Sequence, residues 1–184
     1  MIGRGGQALV ERAASAQQRT LDEASKADMV ECFFHHYGAL EDEGESSAQP
    51  YPGVMDALQR LHQAGLRSAV ITNKQRRFAV ALLERLGLGR WLDLIVGGDS
   101  CERRKPDPQP LHFACESLRL AESQVVMVGD SINDVQAARA AGIAIVCVTY
   151  GYNEGQDPRT LPCDAWIDSM AELPDLLLGR PPSP

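Results

Sequence analysis

The chain has 184 residues, of which 44% are hydrophobic and 23% charged, and 25 acidic against 18 basic side chains give a formal net charge of −7. That length holds one ordinary core with at most a small appended unit, and the composition is that of a water-soluble globular protein. A negative balance with no long basic run argues against nucleic acid as a partner, although a small anionic substrate responds only to the donors around it.

No apolar run reaches the length of a membrane span, so no membrane partner is expected. The opening "MIGRGGQALVERAASAQ" is patterned like a helix and has no apolar signal core, which points to the cytoplasm. The cysteines are Cys32, Cys101, Cys115, Cys147 and Cys163. Their number is odd, no CxxC occurs, and most sit in apolar segments, which favours reduced core thiols over a zinc site or a disulfide framework.

Residues 5–38 read as helical, with Leu21, Ala24, Ala27, Val30 and Phe34 at three- and four-residue steps. The stretch "EDEGESSAQPYPG" is acidic and rich in Gly, Ser and Pro, so it reads as a linker and sets a domain boundary near residue 48. Beyond it the period changes. "VMDALQRLHQAG" is an amphipathic helix, "LRSAVIT" a strand, "QRRFAVALLERLGLG" a helix and "LDLIVGG" a strand. "DPQPLHFACESLRL" is a helix, "QVVMVGD" a strand, "NDVQAARAAG" a helix and "IAIVCVTYG" a strand; a short strand "DAWIDS" and a helix "MAELPDLLLG" close the order. Short apolar strands alternating with longer helices predict an α/β fold with a parallel sheet covered on both faces. Ligands of such sheets bind beyond the carboxyl ends of the strands.

Three strand ends carry chemistry. In "VITNK", Thr72 and Asn73 follow a strand and precede a helix, where a hydroxyl and backbone N–H groups can hold a phosphate oxygen; the plainer reading is a helix N-cap. In "RRKPDP", Pro106 and Pro108 stiffen the backbone around Lys105, a point charge suited to a phosphoryl group; the plainer reading is a solvated loop lysine, with Arg103 and Arg104 facing solvent. In "VVMVGDSINDV", Asp130 ends a strand and Asp134 lies one helical turn on, a pair suited to Mg²⁺, which takes only one or two protein carboxylates. The plainer reading makes Asp130 an N-cap and Asp134 a first-turn acid favoured by the helix dipole. A hydroxyl, a lysine and an acid pair at one sheet edge are together far more specific than any one alone, and they suit phosphoryl transfer. The histidines (His35, His36, His62 and His112) lie on helical segments and read as structural.

The order "MIGRGGQALVERA", "YPGV", "VITNK", "VGGDSCERRKPDP", "VGDSINDVQAARAAG", "VTYGYN" resembles the haloacid dehalogenase superfamily of phosphohydrolases over essentially the whole chain, and within it the phosphoglycolate phosphatase type. The resemblance implies a three-layer Rossmann-like core over residues 49–184 and a partial α-helical cap over residues 1–48. It makes Thr72 and Asn73 the binders of the phosphoryl group and Lys105 the stabiliser of a phosphoaspartate and its transition state. It makes Asp130 the direct Mg²⁺ ligand, with Asp134 orienting it. "IGRG" falls where the family's cap meets the active site, so Arg4 becomes a candidate for recognising a substrate carboxylate.

One departure is large. The family's first motif, an Asp-x-Asp-Gly-Thr run ending the first strand, supplies the nucleophile and the general acid/base, and this sequence has no such run; "DEG" at 42–44 lies in the linker and cannot substitute. The chain begins inside the cap, as a start placed too far downstream or a genuine truncation would produce. In the family that first strand lies between the strand ending at Thr72 and the strand ending at Asp130. Its absence implies two strands without their shared neighbour, and a polypeptide that alone is poorly stable and inactive. The expected function is Mg²⁺-dependent hydrolysis of a small phosphate monoester, 2-phosphoglycolate first, by a monomer or homodimer. The alternatives are a phosphosugar phosphatase or mutase and a truncated, non-catalytic module that binds phosphate or a partner. A hydrolytic dehalogenase is disfavoured because the acid pair points to a metal.

Overall fold

The computed structural model describes residues 5–42, 48–153 and 157–179. Seven α-helices and five short strands are present among them. In chain order they are α1 (Gly5–Ala16), α2 (Glu23–Asp42), α3 (Val54–Gln63), β1 (Ala69–Ile71), α4 (Arg76–Arg85), β2 (Leu94–Val96), α5 (Gln109–Leu118), β3 (Val126–Gly129), α6 (Ile132–Ala141), β4 (Ala144–Val148), β5 (Ala165–Ile167) and α7 (Leu173–Leu178). Residues 43–47 of the linker between α2 and α3 fall outside the described residues, and so does Arg4.

All strand pairs are parallel, as βαβ crossovers require. They form two sheets, β2 beside β1 and β3–β4–β5, so β1 and β3 are each paired on one side only. The consequence shows in burial. β4, flanked on both sides, has Ile145, Val146, Cys147 and Val148 buried, whereas Ala69 and Val126 at the starts of β1 and β3 are exposed and the rest of those strands only half-buried.

Alternation along β4 assigns the layers. Ile145 and Cys147 pack with Leu111 and Cys115 of α5 and with Val135, Ala138 and Ala141 of α6. Val146 and Val148 point the other way, to Leu61 of α3, Ile167 and Leu173. Helix α5 also lies against β1 and β2, and Ile71 packs on the same cluster as Leu111, so α5 ties the two sheets together. Arg60 of α3 pairs with Asp175 of α7 and closes the opposite layer.

Helices α1 and α2 pack on each other, with Val10 and Ala14 of α1 buried and Lys26 of α2 3.3 Å from Glu11. The segment read as one helical stretch is broken between them, where Gln18 takes a positive φ of 56°. Helix α2 reaches the α/β part through aromatic rings, Phe34 stacked on Phe78 at 6.0 Å and Tyr37 edge-on to Phe78 at 5.0 Å. The apolar stripe along α2 is only partly covered, since Ala24 and Ala27 are exposed.

Candidate functional site

The buried polar residues of the described chain are Asn73, Lys105, Asn133 and Asp134, each under a tenth exposed. They gather at the carboxyl ends of β1 and β3. Polar groups are buried at this cost only where they are paired, and for Asn73, Lys105 and Asp134 the pairing is specific.

Lys105 stands at the centre. Its ammonium donates to Asp134 Oδ1 at 2.7 Å and to the carbonyl oxygen of Ile71 at 2.5 Å. Thr72 N–H bonds across to Val96 O in β2, so by strand alternation the Ile71 carbonyl lies on the unpaired edge of β1. One side chain thus satisfies that edge and reaches over to the β3–α6 turn. An ammonium has three N–H groups, and two are used among the described residues, which leaves one donor.

The loop that carries Lys105 is held by Asn73, whose Nδ2 donates to the Lys105 carbonyl at 2.8 Å. The Lys105–Pro106 peptide is cis. Thr72 Oγ1 accepts the N–H of Lys74 at 3.1 Å, a local turn in which its own O–H meets no acceptor among the described residues. Neither Thr72 nor Asn73 is the N-cap of α4, because that position is Gln75. Gly98 N–H donates to Lys74 O at 2.7 Å, and a Cβ on Gly98 would meet the Asn73 backbone, its carbonyl carbon at 2.8 Å; the glycine lets the two loops touch.

At the other wall, Asp134 is both charge partner and cap. Ser131 is the N-cap of α6, and Asp134 Oδ2 accepts Ser131 N–H at 3.1 Å, Ser131 O–H at 2.6 Å and Asp130 N–H at 3.3 Å. Burial opposes its ionisation, but the Lys105 ammonium and these hydrogen bonds more than offset that, and its carboxyl lies below the ordinary value. Asp130 is not the helix cap. Burial, seconded by the neighbouring Asp134 charge, pushes its carboxyl above the ordinary value in spite of the hydrogen bond from Tyr152 N–H. That bond, 2.7 Å long, occupies Oδ2; Oδ1 accepts none among the described residues.

The structure therefore brings Thr72, Asn73, Lys105, Asp130 and Asp134 around one locus. Arg4 lies outside the described residues, although Gly5 beside it would place a Cβ 3.3 Å from Asn73 O, so the start of α1 is at the site rim. Arg104 is exposed, as its loop position suggests, but its guanidinium leans on Gly5. The contributions that sequence reasoning misses are Ser131 as a ligand of Asp134, the Ile71 carbonyl, and the backbone of Gly151 and Tyr152. Only Ser131 carries a signal, its place at the head of a helix with an acid three residues on.

Among the described residues no group of three or more His, Cys, Asp or Glu side chains converges, and no helix is long and apolar enough to cross a membrane. A cation held here would keep several oxygens from water or substrate, which is the habit of Mg²⁺.

Comparison with known proteins places the chain in a family. The model of the haloacid dehalogenase-like hydrolases matches residues 2–148. A phosphoglycolate phosphatase of Thiobacillus denitrificans is 41% identical over 93% of this chain and 74% of its own length. Among solved structures, a predicted phosphoglycolate phosphatase from Haemophilus somnus superimposes with a TM-score of 0.83 at 30% identity, over 96% of this chain and 79% of that one. CbbY from Rhodobacter sphaeroides, solved in complex with phosphate, gives 0.76 at 26% identity, over 92% of this chain and 75% of that one. With a family model over most of its length and a close relative over nearly all of it, the chain belongs to the haloacid dehalogenase-like hydrolase family.

Proposed function

We propose that this chain carries the phosphate- and metal-binding half of a Mg²⁺-dependent phosphatase acting on a small phosphate monoester, 2-phosphoglycolate first, in the reducing cytoplasm. The observation that supports this most directly is the Lys105 ammonium held between the Ile71 carbonyl and Asp134. A lysine buried in this way is a fixed positive charge with a donor unused among the described residues, placed where a phosphoryl oxygen beyond β1 would sit.

The donor set fits Mg²⁺. Two carboxylates against one ammonium leave a net negative charge, and Asp130 offers an oxygen without a hydrogen-bond partner among the described residues. When bound, the cation would neutralise phosphoryl charge. Asp130 would hold it, and Asp134, tied to Lys105 and Ser131, would fix the turn from which Asp130 projects.

Thr72 O–H and the spare Lys105 N–H would bind phosphoryl oxygens, with Asn73 keeping Lys105 in place. In the complete reaction a carboxylate oxygen of a first-motif aspartate forms a bond to phosphorus as the ester P–O bond breaks, and the second aspartate of that motif protonates the departing alkoxide. Water then cleaves the phosphoaspartate and releases phosphate. The 184-residue sequence contains no Asp-x-Asp-Gly-Thr run, so the expectation for this polypeptide is binding without turnover. Residues 1–48 are proposed to form part of the cap over the substrate.

The test is thermal protection of the purified polypeptide by phosphate, 2-phosphoglycolate and a sugar phosphate, each with and without Mg²⁺, beside a phosphatase assay. Mg²⁺-dependent protection, greatest with 2-phosphoglycolate and lost in Asp130→Asn, supports the reading. Protection greatest with the sugar phosphate moves the substrate to that class. Absence of any Mg²⁺-dependent protection overturns the site, and robust turnover free of host enzyme overturns the missing-nucleophile reading.

A further inference from the structure

After β4 the chain runs through Thr149, Tyr150, Gly151 and Tyr152 beside the acid pair. Its root is fixed, since Thr149 N–H donates to Ile167 O at 3.1 Å and Thr149 Oγ1 to Asp168 Oδ1 at 2.6 Å. Gly151 then adopts a φ of +110°, and a Cβ there would stand 2.8 Å from Asp130 Cβ and closer still to Oδ2. Real Cβ atoms do not come that near, so only glycine lets the loop touch Asp130 at this point. The following amide, Tyr152 N–H, donates to Asp130 Oδ2 at 2.7 Å. The Tyr152 side chain takes no part, being 58% exposed. The loop thus reaches the site with its backbone.

We propose that the Gly151–Tyr152 backbone is a positioning element for the cation site: its N–H holds Asp130 Oδ2 and so fixes the carboxylate, leaving Oδ1 as the oxygen without a hydrogen-bond partner among the described residues. This rests on the reading above that Asp130 holds the cation. A carboxylate on a flexible χ angle can offer either oxygen or both. A backbone donor on one of them restrains that freedom and fixes the orientation of the carboxylate, as outer partners of metal ligands do. Asp134 is locked from the opposite side by Ser131 and Lys105, and Gly129 leaves room for it, since a Cβ there would meet Asp134 Cγ at 2.8 Å.

The experiment is calorimetric titration of Mg²⁺ into the 184-residue protein and its Tyr152→Ala, Tyr152→Pro, Gly151→Ala and Asp130→Asn variants, with circular dichroism to verify folding. Tyr152→Ala keeps the N–H and should bind within about 2-fold of the parent, whereas Tyr152→Pro deletes the donor and should weaken binding about 10-fold or more. Gly151→Ala forces the loop away and should behave like Tyr152→Pro; if the proline variant does not fold, the Gly151→Ala and Tyr152→Ala pair decides. A folded Tyr152→Pro or Gly151→Ala that binds like the parent overturns the proposal, as does a Tyr152→Ala as weak as either. Failure of the metal assignment has a different signature: an Asp130→Asn that binds as well as the parent.

Discussion

Lys105 Nζ lies 2.7 Å from Asp134 Oδ1, and both side chains are nine-tenths or more buried. Desolvating two charges is costly, and the pair is tolerable because each is satisfied further, Lys105 by the Ile71 carbonyl and Asp134 by Ser131. Removing one partner strands the other. Lys105→Met is expected to cost about 3–5 kcal/mol at neutral pH in chemical denaturation, and Lys105→Met with Asp134→Asn distinctly less than the two single costs added. Additive costs would mean that the two charges do not see each other.

Gly98 has no positive φ to protect; what it protects is space. A Cβ would lie 2.8 Å from the Asn73 carbonyl carbon and 3.2 Å from its Cα, backbone atoms that cannot swing aside. Gly98→Ala should therefore push the Thr72–Lys74 turn outward, costing about 1–3 kcal/mol by overpacking and weakening Mg²⁺-dependent phosphate binding. Unchanged stability and unchanged phosphate binding, measured on the same preparation, would contradict the close approach.

How far the sequence reaches is clear from particular residues. Continuous apolar runs identify β4, and its burial on both faces follows from Ile145 and Cys147 meeting α5 and α6 while Val146 and Val148 meet α3 and the β5–α7 end. Thr72, Lys105, Asp130 and Asp134 are legible because strand ends in this topology share one edge. Three things are not legible. The break between α1 and α2 carries no proline or glycine to announce it. The Ile71 carbonyl and the Tyr152 amide act through the main chain, so no side-chain pattern marks them. The exposure of Val126, an apolar residue in a strand read as buried, reflects which neighbour β3 lacks, a property of the sheet and not of the residue.

Asp164 joins three elements. Its carboxylate takes Arg139 of α6 at 2.7 Å and the N–H of Ile145 in β4 at 2.7 Å, just before β5 begins. The Arg139 hydrogen bond, with that N–H, holds its carboxyl below the usual 3.8. For a depressed carboxyl the stabilisation is complete above the unfolded value and is lost as pH falls through the folded one. Asp164→Asn should thus be less stable than the parent at neutral pH, with the gap closing only below about pH 4. Denaturation midpoints across that range check it; a gap that is constant down to about pH 2 would show that the charge contributes nothing.

Cys147 lies in β4, in register with Gly129, the residue before Asp130. Burial, with Cys163 beside it, pushes its thiol up to about 12. The thiolate is the reactive form, so the raised thiol is kept almost wholly in its unreactive state, before access is even considered. Cys115, also buried, is raised for the same reason, while Cys32 on α2 is exposed. Iodoacetamide on the native protein should therefore label Cys32 and leave Cys147 and Cys115 intact, with both becoming labelled in denaturant. Peptide mass spectrometry reads the order directly. Native labelling of Cys147 as fast as Cys32 would mean that β4 opens readily, and that the floor beneath Asp130 and Asp134 is not the packed layer which Ile145, Leu111 and Val135 form around it.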